Sequence, residues 1–171
     1  VNLALHRGNY YPIATYDTFQ DVDPLSSILS VLSKSDPDEV TIIQFALEST
    51  NTTWQSKGTA FAQKGTKNLD GTYSVRSDAN IINEKISYPG FRCCLRIISN
   101  TNKTLIELSS AFGVFNRSDG NYFTSHKPSV LNKKREYRAA LLRTVTEFQI
   151  LNINELATLW HLPSEKIKIP S

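Results

Sequence analysis

The chain contains no methionine and begins with Val1. Translation starts on methionine, so Val1 is expected to be an internal residue left by excision or processing. It has only two cysteines, Cys93 and Cys94. Adjacent residues on a strand point to opposite faces and make poor disulfide partners. That excludes a disulfide framework and favours a reducing compartment. No apolar run reaches the ~18 residues that a spanning helix needs, and no signal peptide is visible. A membrane anchor, if the protein has one, lies outside this segment.

Recognisable catalytic wording is also missing. There are three histidines, His6, His126 and His161, and none sits in an H-E-x-x-H or a His/Cys spacing suited to zinc. There is no nucleophile elbow. No G-x-x-x-x-G-K-[ST] occurs, and the nearest imitation, Gly58 to Lys67, has the wrong spacing. Asp21 with Asp23, and Asp36 with Asp38, are accounted for by cap and turn chemistry. His161, just after Trp160 at a helix end, is expected to satisfy orphan carbonyls rather than to catalyse. The Asn-x-Ser/Thr sequons at Asn51, Asn102 and Asn116 are expected to be chance in a chain rich in Asn, Ser and Thr.

What is present describes a folded domain. The 171 residues are 40% hydrophobic and 20% charged, close to globular averages, and enough to bury a core without staples. The net charge of +3 permits contact with nucleic acid or anionic lipid without requiring it.

The pattern along the chain predicts a first strand over Tyr10 to Phe19, rich in aromatic and β-branched residues. Asp23 and Pro24 open a helix with Leu25, Ile28, Leu29 and Leu32 on one stripe. Val40 to Leu47 reads as a central strand, and Trp54 to Lys64 as a short helix. Residues 64–83 form a polar excursion. A strand region over Lys85 to Ser99 places Phe91, Cys93, Leu95 and Ile97 on one face and Arg92, Cys94, Arg96 and Ile98 on the other. A helix follows with Leu105, Leu108, Phe112 and Phe115, then a short edge strand over Asn121 to Thr124. Lys133 to Arg143 reads as a basic helix, and Thr144 to Leu151 fits either helix or extended chain. Asn152 and Glu155 form a capping box for a last helix.

The order β-α-β-β-α-β predicts an α+β, ferredoxin-like split β-α-β sandwich with additional C-terminal helices. Residues 1–150 are expected to form this domain. Residues 151–171 are expected to form a capped helix and a linker towards a further domain.

Three phrases resemble the region ahead of the motor core in conjugative-transfer and type IV secretion ATPases of the FtsK/HerA class. The first is Asp21-x-Asp23-Pro24-Leu25 followed by Val40-Thr41-Ile42-Ile43-Gln44-Phe45, with Trp54 downstream. The second runs from Glu84-Lys85-Ile86 through Pro89-Gly90-Phe91 to Leu95-Arg96-Ile97. The third and most specific is Leu151 to Pro163, similar to "LN-x-EELATL-[WYF]-H-x-P". The resemblance implies a non-catalytic accessory domain of a membrane-associated motor, working by subunit contact or substrate engagement. It places ATP and Mg in a downstream RecA-like core and no cofactor in this segment. The implied partners are that ATPase core, further copies of the parent protein, secretion components of the membrane, and DNA. The implied location is cytoplasmic, at the inner face of the cell membrane.

The residues expected at contacts follow from both readings. Leu156, Leu159, Trp160 and Pro163 would pack a domain junction. Arg92 and Arg96 on one strand face, and Lys133, Lys134, Arg135 and Arg138 on the basic helix, would meet a partner or nucleic acid. The alternative function is a stand-alone single-stranded nucleic-acid-binding domain that uses an open Arg92/Arg96 sheet face. A small enzyme with an unrecognised site ranks below both.

Overall fold

Nine consecutive apolar-rich residues form the strand that the VTIIQFAL run predicts, and a ten-residue strand stands beside it. The computed structural model describes residues 1–19 and 22–162. Its strands are β1 (Asn2–Leu5), β2 (Thr41–Ser49), β3 (Thr66–Lys67), β4 (Tyr73–Ser74), β5 (Gly90–Ser99), β6 (Phe123–His126) and β7 (Gln149–Asn152). Its helices are α1 (Leu25–Leu32), α2 (Thr53–Gln63), α3 (Ala79–Ile86), α4 (Asn102–Ala111), α5 (Lys133–Leu142) and α6 (Ile153–Leu159).

This is an α+β fold on an antiparallel sheet. β5 pairs with β2 from Thr41↔Ser99 to Ser49↔Phe91. Its other edge takes β7 opposite Gly90 to Cys93 and β1 opposite Leu95 and Arg96, end to end. β6 lies outside β1, so the main strand order is β2-β5-β1-β6. β5 is central because five consecutive residues, Cys93 to Ile97, are buried. The odd-numbered side chains Cys93, Leu95 and Ile97 meet Ile28 of α1, Leu108 of α4, Phe112, Phe115 and Leu159 of α6 in the main core. A second cluster joins α2 and α3 through Trp54, Ala62, Ile82 and Ile86 to Tyr11 and Ile150. Gly90 is required there: a Cβ would come within 2.6 Å of the Trp54 ring and 2.9 Å of Ile150 Cγ2.

The first strand is not Tyr10 to Phe19. Tyr11, Ile13 and Ala14 are buried as their pattern suggests, yet their segment is irregular. Its donors go elsewhere: Ile13 N–H to Glu155 Oε1 (3.0 Å), Ala14 N–H to the Phe115 carbonyl (2.9 Å), and Tyr16 N–H to Thr158 Oγ1 (3.0 Å). Apolar alternation reported burial, and two side-chain acceptors and one distant carbonyl took the place of a ladder. The strand expected from Lys85 begins at Gly90, because Lys85 and Ile86 close α3. The 64–83 excursion holds the small β3–β4 hairpin, Thr66↔Ser74 and Lys67↔Tyr73, and the start of α3. Position 150 lies inside β7, and residues 151–162 continue from the same sheet into α6, whose Leu159 is in the main core. No helix among the described residues is long and apolar enough to cross a membrane.

Candidate interaction site

Two buried cations and two surface clefts organise the rest of the molecule. The first cation is Lys85, fully buried, with Nζ 3.1 Å from Glu155 Oε1 and donating to the Tyr11 carbonyl at 3.2 Å. Glu155 is the N3 residue of the capping box. Its Oε2 accepts from Asn152 N–H at 2.8 Å, while Asn152 Oδ1 accepts from Glu155 N–H at 2.9 Å. Asn152 Nδ2 in turn donates to the Lys85 carbonyl at 3.1 Å. Burial pushes the Lys85 ammonium below the usual lysine range, and the Glu155 carboxylate opposes that push. The sequence shows the capping box. It does not show that the box is buried on a lysine from α3.

The second cation is Arg96, expected on an open sheet face. The strand parity is right, but the face is covered. Helix α5 and the segment after it lie over it, and Arg96 is only 2% exposed. Its guanidinium donates to Gln44 Oε1 (2.9 Å), the Thr144 carbonyl (2.8 Å) and Thr146 Oγ1 (2.9 Å), with Glu136 Oε2 3.9 Å from Nε. Gln44 completes the arrangement by donating Nε2 to the Ala140 carbonyl of α5 (3.0 Å). The nucleic-acid face formed by Arg92 and Arg96 is therefore corrected: Arg96 holds α5 and residues 144–146 to the sheet. Arg92 pairs with Glu48 at 2.9 Å and lies over the Phe148 ring at 3.9 Å. These arrangements use both arginines to fasten one strap.

On α5, Arg135 pairs with Glu136 (3.3 Å) and reaches towards Glu147 (3.8 Å). Lys133, Lys134 and Arg138 are exposed. Lys133 lines a cleft of about 560 Å³ between α5 and the sheet, walled by Ile42, Ile98, Tyr137 and Leu141. Across the β2 edge, a second cleft of about 500 Å³ runs between β2 and α1, walled by Leu29, Ile43, Phe45 and Trp160. Arg143 lines both. It ends α5 in the left-handed region, φ 55°, and is the one non-glycine with positive φ among the described residues. Glycine ends helices this way at lower cost, by about 1 kcal/mol.

The expected junction residues divide. Leu159 is 2% exposed and sits in the main core, and Leu156 packs against it. Trp160 is 71% exposed, its ring stacked parallel on Phe45 at 6.3 Å. Pro163 lies outside the described residues. His161 meets the Thr158 carbonyl through Nδ1 at 3.1 Å, as expected of a helix-end partner, and Asp23 Oδ1 through Nε2 at 3.1 Å. Asp23 Oδ1 also accepts from Leu25 N–H at 2.9 Å, at the start of α1.

A third cluster was not anticipated. Asp78 accepts from Arg76 through both oxygens at 2.8 Å and from Tyr11 OH at 2.6 Å, and Arg7 lies 3.5 Å over the Tyr11 ring. The Arg76 guanidinium and the Tyr11 hydroxyl hold the Asp78 carboxyl down at about 2. Residues from two distant segments, 7–11 and 76–78, meet here, which no local motif could announce. Burial pushes the Cys93 thiol up to about 12 and Cys94 upward as well, so both behave as small apolar side chains. Among the described residues, no three His, Cys, Asp or Glu side chains gather into a metal-binding group.

Comparison of the chain with family models, with curated proteins and with solved structures gave no match.

Proposed function

We propose that this chain is a non-catalytic accessory domain of a membrane-associated secretion or conjugation motor of the FtsK/HerA class, and that it works by protein contact. One observation carries the reading. The three phrases that resemble the pre-motor region, far apart in sequence, touch each other through their distinctive residues. Asp23 of the first meets His161 of the third at 3.1 Å, and Phe45 of the first stacks on Trp160 of the third. Lys85 of the second meets Glu155 of the third at 3.1 Å. Wording that assembles into one packing unit is better explained by a shared domain than by chance, because each phrase is meaningful only with its partners in place.

The third phrase ends beside an exposed tryptophan on the β2 edge, where large exposed apolar side chains collect: Ile42 (47%), Tyr137 (67%), Leu141 (66%) and Trp160 (71%). Exposed apolar surface of this kind marks contact sites. In this reading the ATP and Mg chemistry, the oligomeric ring and any DNA engagement belong to the parent polypeptide, and the domain stands at the inner face of the cell membrane. The coding sequence tests it: a Walker A motif within a few hundred codons after Ser171 is expected, and a stop codon directly after Ser171 would overturn it.

A further inference from the structure

β2 forms one boundary of the main sheet, and among the described residues no strand pairs with its outer edge. Natural proteins blunt such edges with lysine, proline, bulges or short length. β2 is nine residues long, with no proline, glycine or lysine. Its one charged side chain, Glu48, pairs with Arg92 of the neighbouring strand. A row of outward N–H and C=O groups along a strand is a ready template for an added extended backbone.

The surroundings specify that backbone further. Strand parity sends Ile42 and Gln44 towards α5 and Ile43 and Phe45 towards α1. An added strand would direct its alternate side chains the same way, into the two apolar clefts. Arg143 is common to both clefts, is exposed, and holds a backbone conformation that disfavours any residue but glycine. None of its contacts within 4 Å among the described residues is an ion pair. A second copy's β2 offers no spare carboxylate to Arg143, because its one charged side chain, Glu48, is already paired with Arg92.

We propose that the outer edge of β2 receives an extended segment of a partner protein, with apolar side chains at alternate positions and a carboxylate that pairs with Arg143. This goes beyond the motor reading and does not rest on it: the edge and its clefts exist whatever follows Ser171.

The test is amide hydrogen exchange across Thr41–Ser49, with and without a nine-residue synthetic peptide alternating valine and threonine around one central glutamate. Binding should protect outward amides of β2. Arg143→Glu should weaken the glutamate peptide about five-fold, and should favour a lysine-centred peptide by a similar factor. Equal affinities for both peptides, or protection confined to other elements, would overturn the proposal. Sedimentation of the peptide-free protein closes the remaining routes. β2 amides already protected in a dimer would assign the edge to a second copy. Amides protected in the monomer and exposed by deleting 163–171 would assign it to this chain's own segment. Either result defeats the partner.

Discussion

Lys85 and Arg96 are both buried cations facing a glutamate, yet they do different things. Lys85 has its carboxylate at 3.1 Å, and both side chains are fully enclosed. Arg96 has its carboxylate at 3.9 Å, bonds chiefly to neutral oxygens, and borders an open cleft. A buried charge requires a close, fully bonded partner or it is strongly destabilising. Around Lys85 that requirement knits α3, the 11–13 segment and α6 into one body. Around Arg96 it fastens a helix over a sheet face and leaves a cleft beside the fastening. One arrangement stabilises the domain, and the other shapes the surface proposed to meet partners.

The largest expected effect breaks the first arrangement. Glu155→Ala removes the partner of Lys85, the acceptor of Ile13 N–H and half the capping box, and should cost about 3–5 kcal/mol in urea unfolding. Lys85→Met should cost less, because Glu155 keeps two backbone donors. Arg96→Met addresses the second arrangement. It should cost about 2–3 kcal/mol and selectively speed amide exchange in residues 144–148, while exchange in α3 and α6 stays slow. Equal loss of protection in both places would mean that the two cations do not act on separate regions.

Acid titration sharpens the contrast with a pair near the surface. Asp78 is held at about 2 in the folded state and titrates near 4 unfolded. A depressed folded value gives stability that is present above about pH 4 and lost as pH falls towards 2. After solvent screening this amounts to about 1 kcal/mol, and Asp78→Asn should flatten that part of the stability–pH curve. Smaller still, Arg143→Gly relieves the left-handed backbone, partly offset by glycine's unfolded-state freedom, and should stabilise by about 0.5 kcal/mol, while removing the cation proposed to bind. A variant that is both more stable and weaker in binding would separate fold from contact at one residue.

The sequence made the existence of β2 and β5 legible through their long apolar runs, but it read β2 as central, whereas β2 bounds the sheet and only Ala46 of it is buried. It made α5 and the Asn152/Glu155 cap legible, since periodicity and capping are local. It misplaced the first strand because Tyr11, Ile13 and Ala14 are buried without a ladder. It showed which face Arg96 occupies, but not that α5 returns to cover it. Face parity is a property of one strand, whereas cover depends on residues some forty positions away. The Lys85–Glu155 pair and the Tyr11–Arg76–Asp78 cluster were hidden for the same reason. Trp160 was expected to be buried at a junction, and in this chain it lies 71% exposed on Phe45. Trp160→Ala should therefore cost less than about 1 kcal/mol here, rather than the ~3–5 kcal/mol of a core truncation.

That difference gives the most direct test of the central claim, that the exposed Trp160 belongs to a junction with a motor core in a longer polypeptide. The measurement is iodide quenching of tryptophan emission, in this chain and in the longer polypeptide that the motor reading proposes. Trp54 is 5% exposed and Trp160 71%, so in this chain the quenchable emission should come from Trp160 and vanish in Trp160→Phe. In the longer polypeptide that quenchable fraction should disappear as the tryptophan is covered. Equal quenching in both would contradict the account.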